Sequence, residues 1–184
     1  MSASEGMKRA VFLDRDGTII EDVDYLTEID QIRLLPGVAD ALRRLKRAGF
    51  LLLVVTNQSA VARGRLTEQE LALIHDELDS RLARQGVNID AFYYCPHLPG
   101  AEVEHYDVVC NCRKPEPGLF EEAVAEWHVN PAESYAVGDS RRDVQAGKDA
   151  GCQTVYIGHE ETEADFQAPD LSAAADTIME RERG

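Results

Sequence analysis

Short apolar runs alternate with amphipathic stretches along this chain. Residues 9–13 and 50–55 are nearly continuous apolar segments, and 91–95, 135–137 and 154–157 repeat the theme. Runs of that length and composition predict strands buried on both faces. Helical periodicity fills the intervals at 38–48, 67–85, 118–128, 141–150 and 173–181. Pro36 and Gly49 bracket the first of these helices, and Thr67 with Glu70 supplies a capping box for the second. Strands alternating with helices predict βαβ units, and hence an α/β fold with a doubly wound parallel sheet spanning 1–184 as one domain. Such a sheet places its ligands at the carboxyl ends of its strands.

Two stretches break the alternation. Residues 14–35 carry seven acidic side chains and no long helix, and residues 96–117 are rich in Cys, His and Pro. Both follow strands, so both are expected to overhang the strand ends, where long loops are commonly functional. The last stretch, 158–184, holds eight acidic and two basic residues and reads as mostly solvated surface.

Composition narrows the function classes. The 184 residues include 34 Asp and Glu against 19 Lys and Arg, a formal charge of −15. So acidic a chain repels phosphate backbones and anionic lipid, so neither nucleic acid nor a membrane is an expected partner. The longest apolar run is a strand's length, and residues 1–9 lack the pattern of a secretory signal; a cytoplasmic, monomeric protein is expected. Four cysteines in a reducing compartment favour metal over disulfides.

The first strand run ends in Asp14-Arg15-Asp16-Gly17. Residues i and i+2 of a strand share a face, so Asp14 and Asp16 can project together, with a divalent cation between them offsetting their repulsion. The same four residues also read as a turn cap. Thr56-Asn57-Gln58 and Gly138-Asp139-Ser140 end two further strand runs. Thr56 can donate to phosphate oxygens and Asp139 can ligate the cation, although Thr56 also reads as an N-cap, Asp139 as a turn residue and Asp143 as a first-turn helix charge. Arg113-Lys114 brings two cations toward this acidic edge.

A second cluster lies in the loop. Cys95 and His97, then Cys110 and Cys112, offer three thiolates and one imidazole, a set that fills the tetrahedral shell of a structural Zn²⁺. Chance clustering of buried thiols is the alternative; Cys152 fits that description, as a small core residue. His105 lacks matching spacing, and His75, His128 and His159 are expected to be exposed.

The four ordered motifs from Asp14 to Asp143 resemble those of the haloacid dehalogenase superfamily of aspartate-nucleophile phosphohydrolases. That resemblance implies a Rossmann-like core in which Asp14 is the nucleophile, Asp16 the general acid and base, and Thr56 and Lys114 stabilise the phosphoryl group. Mg²⁺ would be held by the carboxylates of Asp14 and Asp139 and the backbone carbonyl of Asp16. Within the superfamily, a zinc-stapled loop without a large cap domain resembles both heptose bisphosphate phosphatases and histidinol-phosphate phosphatases. The twelve-residue gap between His97 and Cys110, with the segment 56–64, is similar to the former. The implied substrate is a phosphorylated sugar, a heptose 1,7-bisphosphate losing its 7-phosphate in ADP-heptose and surface-glycan synthesis. Asp22, Val23, Asp24, Tyr25, Thr56, Asn57, Gln58, Ser59, Arg113, Lys114 and Ser140 match its substrate-contacting positions. Asp24 stands where relatives often carry Gly, and Ser140 where they carry Lys. A zinc-stapled module without catalysis is the remaining alternative, and the intact Asp14, Asp16, Lys114 and Asp139 argue against it.

Overall fold

The computed structural model describes residues 6–183. Part of the segment read for a leader, residues 1–5, lies outside the described residues, as does residue 184 of the expected domain. Six strands form one sheet: β1 (Arg9–Leu13), β2 (Phe50–Asn57), β3 (Ala91–Cys95), β4 (Tyr135–Gly138), β5 (Gln153–Ile157) and β6 (Phe166–Ala168). Their order is β3-β2-β1-β4-β5-β6, and every neighbouring pair is parallel. Strand order reverses beside β1, so the β1 and β4 carboxyl ends open a crevice at the switch point.

Period-two alternation sends successive residues to opposite faces. Val11 and Leu13 of β1, with Leu52 and Val54 of β2, face one apolar layer. Ala10 and Phe12, with Leu53 and Val55, face the other. The first layer is closed by α1 (Val38–Arg47), α3 (Glu68–Ala83) and α6 (Leu171–Arg181), through Leu42, Leu78 and Ile178 among others. The second is closed by α4 (Gly118–Trp127) and α5 (Arg141–Asp149), through Phe120 and Ala146. A sheet covered on both sides explains why the strands read as unbroken apolar runs. The capping box of Thr67 and Glu70 forms as expected.

As expected, much of the tail is exposed, while β6 and α6 bury Ala168, Leu171, Ala174 and Ile178 against the sheet. The 14–35 segment has no long helix, as expected; bridges join Asp16 to Ile20 and Ile20 to Leu34, and Ile19, Ile20, Leu26 and Ile32 anchor it in the core. One expectation is corrected: His75 is not exposed but buried on α3, where it stacks on Phe92 at 4.6 Å between ring centroids. A short helix, α2 (Ser59–Ala62), also follows β2. Among the described residues, no helix is long and apolar enough to cross a membrane.

Two measurements probe this packing. Phe12 is buried on β1 with its ring 4.9 Å from that of Phe120. Phe12→Ala should lower the unfolding free energy by about 3–5 kcal/mol in urea titrations, through lost transfer energy and the cavity left behind. His75 carries a pH signature. Burial, then the Arg15 guanidinium, pushes its pKa down to about 3, against about 6.5 in an unfolded chain. The unfolded state therefore takes up a proton that the folded state refuses, so stability is lost as pH falls below about 6.5. Between pH 7 and 5 the wild type should lose about 2 kcal/mol more than His75→Gln, in which this ionisation is absent.

Candidate active site

Asp14 follows β1 directly, and its N–H donates to Val137 O at 2.9 Å, extending the pairing with β4 toward Asp139. The chain then turns at Gly17, whose φ of 79° lies in the left-handed region. A Cβ on Gly17 would overlap the Asp139 carboxylate, so this position lets the turn close onto the β4 end. The carboxylates of Asp14, Asp139 and Asp143 offer oxygens all within 4.8 Å of one another.

One buried ammonium sits among them. Lys114 Nζ donates to Asp14 Oδ1 at 2.9 Å, Asp143 Oδ1 at 2.5 Å and Val55 O at 2.7 Å, which uses all three of its protons. Burial alone would lower the Lys114 pKa, but the two carboxylates outweigh it and hold the pKa above its ordinary value. They gain less in return. Burial, followed by the Asp143 charge, pushes the Asp14 carboxyl up to about 8 despite Lys114. Burial and Asp143 likewise raise Asp139 to about 6. The site's own cations therefore do not neutralise its carboxylates, and an oxygen-lined pocket short of positive charge fits a hard divalent cation.

The sequence reading ends the fourth motif at Asp143, with a first-turn helix charge as the alternative, and gives it no role in the site, where it in fact stands. Its Oδ2 accepts from Ser140 N at 2.9 Å as the N3 member of an α5 capping box, and its Oδ1 accepts from Lys114. The Ser140-x-x-Asp143 spacing was the available signal. Because both oxygens are engaged, Asp143 supports Lys114 and α5, leaving Asp14 and Asp139 the freer ligands.

Around this cluster lies a cavity of about 350 Å³. It brings together Asp14, Asp16, Asp22, Asp24, Tyr25, Thr56, Asn57, Ser59, Arg113, Lys114, Asp139 and Ser140 from the sequence reading, and adds Arg142 and Asp143. Two expected members do not line it. Val23 is exposed on a tight turn in which Tyr25 N–H donates to Val23 O and Asp24 N–H to Asp22 Oδ1. Asp24 has φ of 65°, a conformation glycine adopts freely and Asp tolerates. Gln58 is buried instead, with its amide turned toward Asp16, Thr56 and Arg15. Gln58 Nε2 donates to Thr56 Oγ1 at 2.6 Å, which leaves the Thr56 hydroxyl proton free to donate into the cavity. Tyr25 is backed by Arg65, whose guanidinium lies 4.0 Å from the ring centroid.

The loop after β3 is fastened at both ends of its span. Cys95 Sγ lies 3.6 Å from Cys110 Sγ and 3.0 Å from Cys112 Sγ, and His97 Nδ1 lies 3.3 Å from Cys112 Sγ. A zinc tetrahedron with 2.3 Å bonds needs sulfurs roughly 3.8 Å apart, so these four ligands are already gathered about one point. None of them is in a disulfide. Tyr94 and Tyr106 both donate to Glu68 at the start of α3, at 2.6 and 2.7 Å. The cluster leads straight into the site. Arg113 Nη1 donates to His97 O at 3.1 Å, and Asn57 pairs with both backbone groups of Lys114 at 3.0 Å.

Known proteins are similar to this chain in sequence and in fold. Residues 21–151 match the haloacid dehalogenase-like hydrolase family. The chain is 48% identical over 148 residues, 80% of its length and 78% of the relative's, to D-glycero-beta-D-manno-heptose-1,7-bisphosphate 7-phosphatase of Escherichia coli O6:H1. Its counterpart in Haemophilus ducreyi is 44% identical over 151 residues, 82% of each chain. The crystal structure of D,D-heptose 1,7-bisphosphate phosphatase from B. bronchiseptica, complexed with magnesium and phosphate, superposes with a TM-score of 0.83 at 34% identity. That match covers 94% of this chain and 99% of the other. With motif order, sheet order and these likenesses in agreement, the chain belongs to the haloacid dehalogenase-like hydrolases.

Proposed function

We propose that this chain is a magnesium-dependent phosphatase that removes the 7-phosphate of D-glycero-D-manno-heptose 1,7-bisphosphate through an aspartyl phosphate on Asp14. The observation that carries the reaction type is the gathering of Asp14, Asp139 and Asp143 around Lys114 at the switch point. The substrate rests on the likeness to the heptose bisphosphate phosphatases, and with it a place in the synthesis of ADP-heptose and surface glycans.

A carboxylate of Asp14 attacks phosphorus in line, forming an acyl phosphate as the bond to the sugar oxygen breaks. Asp16, on the cavity wall, gives the leaving oxygen its proton, and then takes one from the water that cleaves the acyl phosphate and regenerates Asp14. The Lys114 ammonium and the Thr56 hydroxyl stabilise charge spreading over the phosphoryl oxygens. Asp14 and Asp139, with the carbonyl of Asp16, would hold Mg²⁺, which supplies the charge the buried carboxylates lack and keeps Asp14 ionised. Arg113 and Arg142 present guanidinium groups to the same cavity, suited to the anionic remainder of the substrate. Cys95, His97, Cys110 and Cys112 would hold a structural Zn²⁺ with no open position.

Phosphate release from the heptose bisphosphate, assayed beside histidinol phosphate, tests the reading. A clear preference for the heptose substrate is expected, and a preference for histidinol phosphate overturns it. Asp14→Asn should lower kcat by about 10³-fold or more with the fold retained by circular dichroism. Omitting magnesium should likewise abolish turnover. Elemental analysis should find about one zinc per chain, and Cys112→Ser should lose it together with roughly 5 °C or more of Tm.

A further inference from the structure

Arg15 lies between the two acidic residues of the first motif, yet its side chain is only 1% exposed. An arginine cannot be deprotonated in a protein, so a guanidinium this deep requires acceptors on several of its five donors. It has three. Nε and Nη2 donate to the Asp16 carboxylate at 3.2 and 3.0 Å, Nη2 also donates to Gln58 Oε1 at 2.9 Å, and Nη1 lies 3.2 Å from His75 Nε2. Gln58 closes the circuit from the other side, donating to Asp16 Oδ2 at 3.1 Å. His75 is fixed in turn by its stack on Phe92. Its low pKa keeps the ring neutral, so Nε2 accepts from Arg15 and the ring proton resides on Nδ1.

We infer that His75, Arg15 and Gln58 form a buried tether that positions Asp16 for proton transfer. The inference rests on the reading of Asp16 as the acid and base. Asp16 lines the cavity, as does Thr56, which accepts from Gln58, and both Asp16 oxygens are held from behind by Arg15 and Gln58. Without such a hold, its carboxylate, at the end of a turn and a quarter exposed, would sweep several rotamers. His75, Arg15 and Gln58 are positioning residues, since none of their side chains reaches the cavity wall.

The test separates the two half-reactions. Protonation by Asp16 matters when an alkoxide leaves, whereas 4-nitrophenolate departs from phosphorus without needing a proton. His75→Phe keeps the aromatic stack and removes the acceptor; His75→Gln can restore it. On whichever of heptose bisphosphate and histidinol phosphate the wild type hydrolyses faster, His75→Phe should lower kcat by about 10- to 100-fold with KM within threefold. Its pre-steady-state burst of 4-nitrophenolate should stay within threefold of wild type, and His75→Gln should recover kcat to within threefold. Arg15→Leu, which replaces the buried charge by an apolar chain, should reproduce the His75→Phe pattern and covers the case in which that variant misfolds.

An unchanged kcat in folded His75→Phe and Arg15→Leu overturns the tether. So does a nitrophenolate burst that falls in proportion to kcat, or a His75→Gln no better than His75→Phe. The Asp16→Asn variant distinguishes the levels. If it keeps full turnover of the sugar phosphate, the role of Asp16 fails and the tether with it; if it is inactive while the tether variants are normal, only the tether fails. A wild type that hydrolyses neither substrate overturns both.

Discussion

The charge balance at the end of β1 governs this molecule. Three carboxylates, Asp14, Asp139 and Asp143, converge where the sheet reverses its strand order, and one ammonium, Lys114, answers them from within the protein. That ammonium is fully committed, and it does not bring Asp14 back to an ordinary carboxylate pKa. Burial of three neighbouring carboxylates with a single ammonium makes their ionised forms costly in a low-dielectric setting. The deficit is what makes the site receptive to a cation, and a cation with free coordination positions is in turn receptive to a phosphoryl group.

The fold exists to hold that imbalance in place. Strand β1 is central, paired with β2 on one side and β4 on the other, and both faces around it are buried. Asp14 and Asp139 therefore emerge from two adjacent interior strands, each paired on both sides. The third carboxylate comes from the first turn of α5, where its capping bond to Ser140 fixes it. Gly138 shows how close that approach is, since a Cβ there would overlap the Asp143 carboxylate. Side chains on strand ends and helix first turns hold their geometry better than side chains on free loops.

What the sequence disclosed follows from the range of the interactions involved. The doubly wound sheet, the carboxylates at strand ends and the Cys–His loop were legible because each is set by local period or short spacing, and the structure gathers them as expected. The misses all turn on contacts between distant residues. His75 reads as an ordinary helix residue until α3 packs against β3 and Arg15 reaches it from 60 positions away. Gln58 sits in a segment that matches a substrate loop, yet a buried amide with three partners available is drawn inward, because an unsatisfied one would be costly. The short strand β6, only three residues long, gave no periodic signal of its own.

The zinc-type loop and the catalytic cluster form one mechanical unit. Cys112 precedes Lys114 by only two residues, and Arg113 between them donates to the carbonyl of His97, which belongs to the same four-ligand cluster. Lys114 is then locked at its backbone by Asn57, whose amide both donates to its carbonyl and accepts from its N–H. Asn57 in turn ends β2, one residue beyond Thr56 and two beyond the carbonyl that receives the Lys114 ammonium. A loop of this length has little apolar material to order it, and loose ends would let Lys114 leave the carboxylates it serves. The four gathered side chains lie just upstream of Lys114, so the cluster on one side and the Asn57 bonds on the other bound the short segment that carries the ammonium to the carboxylates.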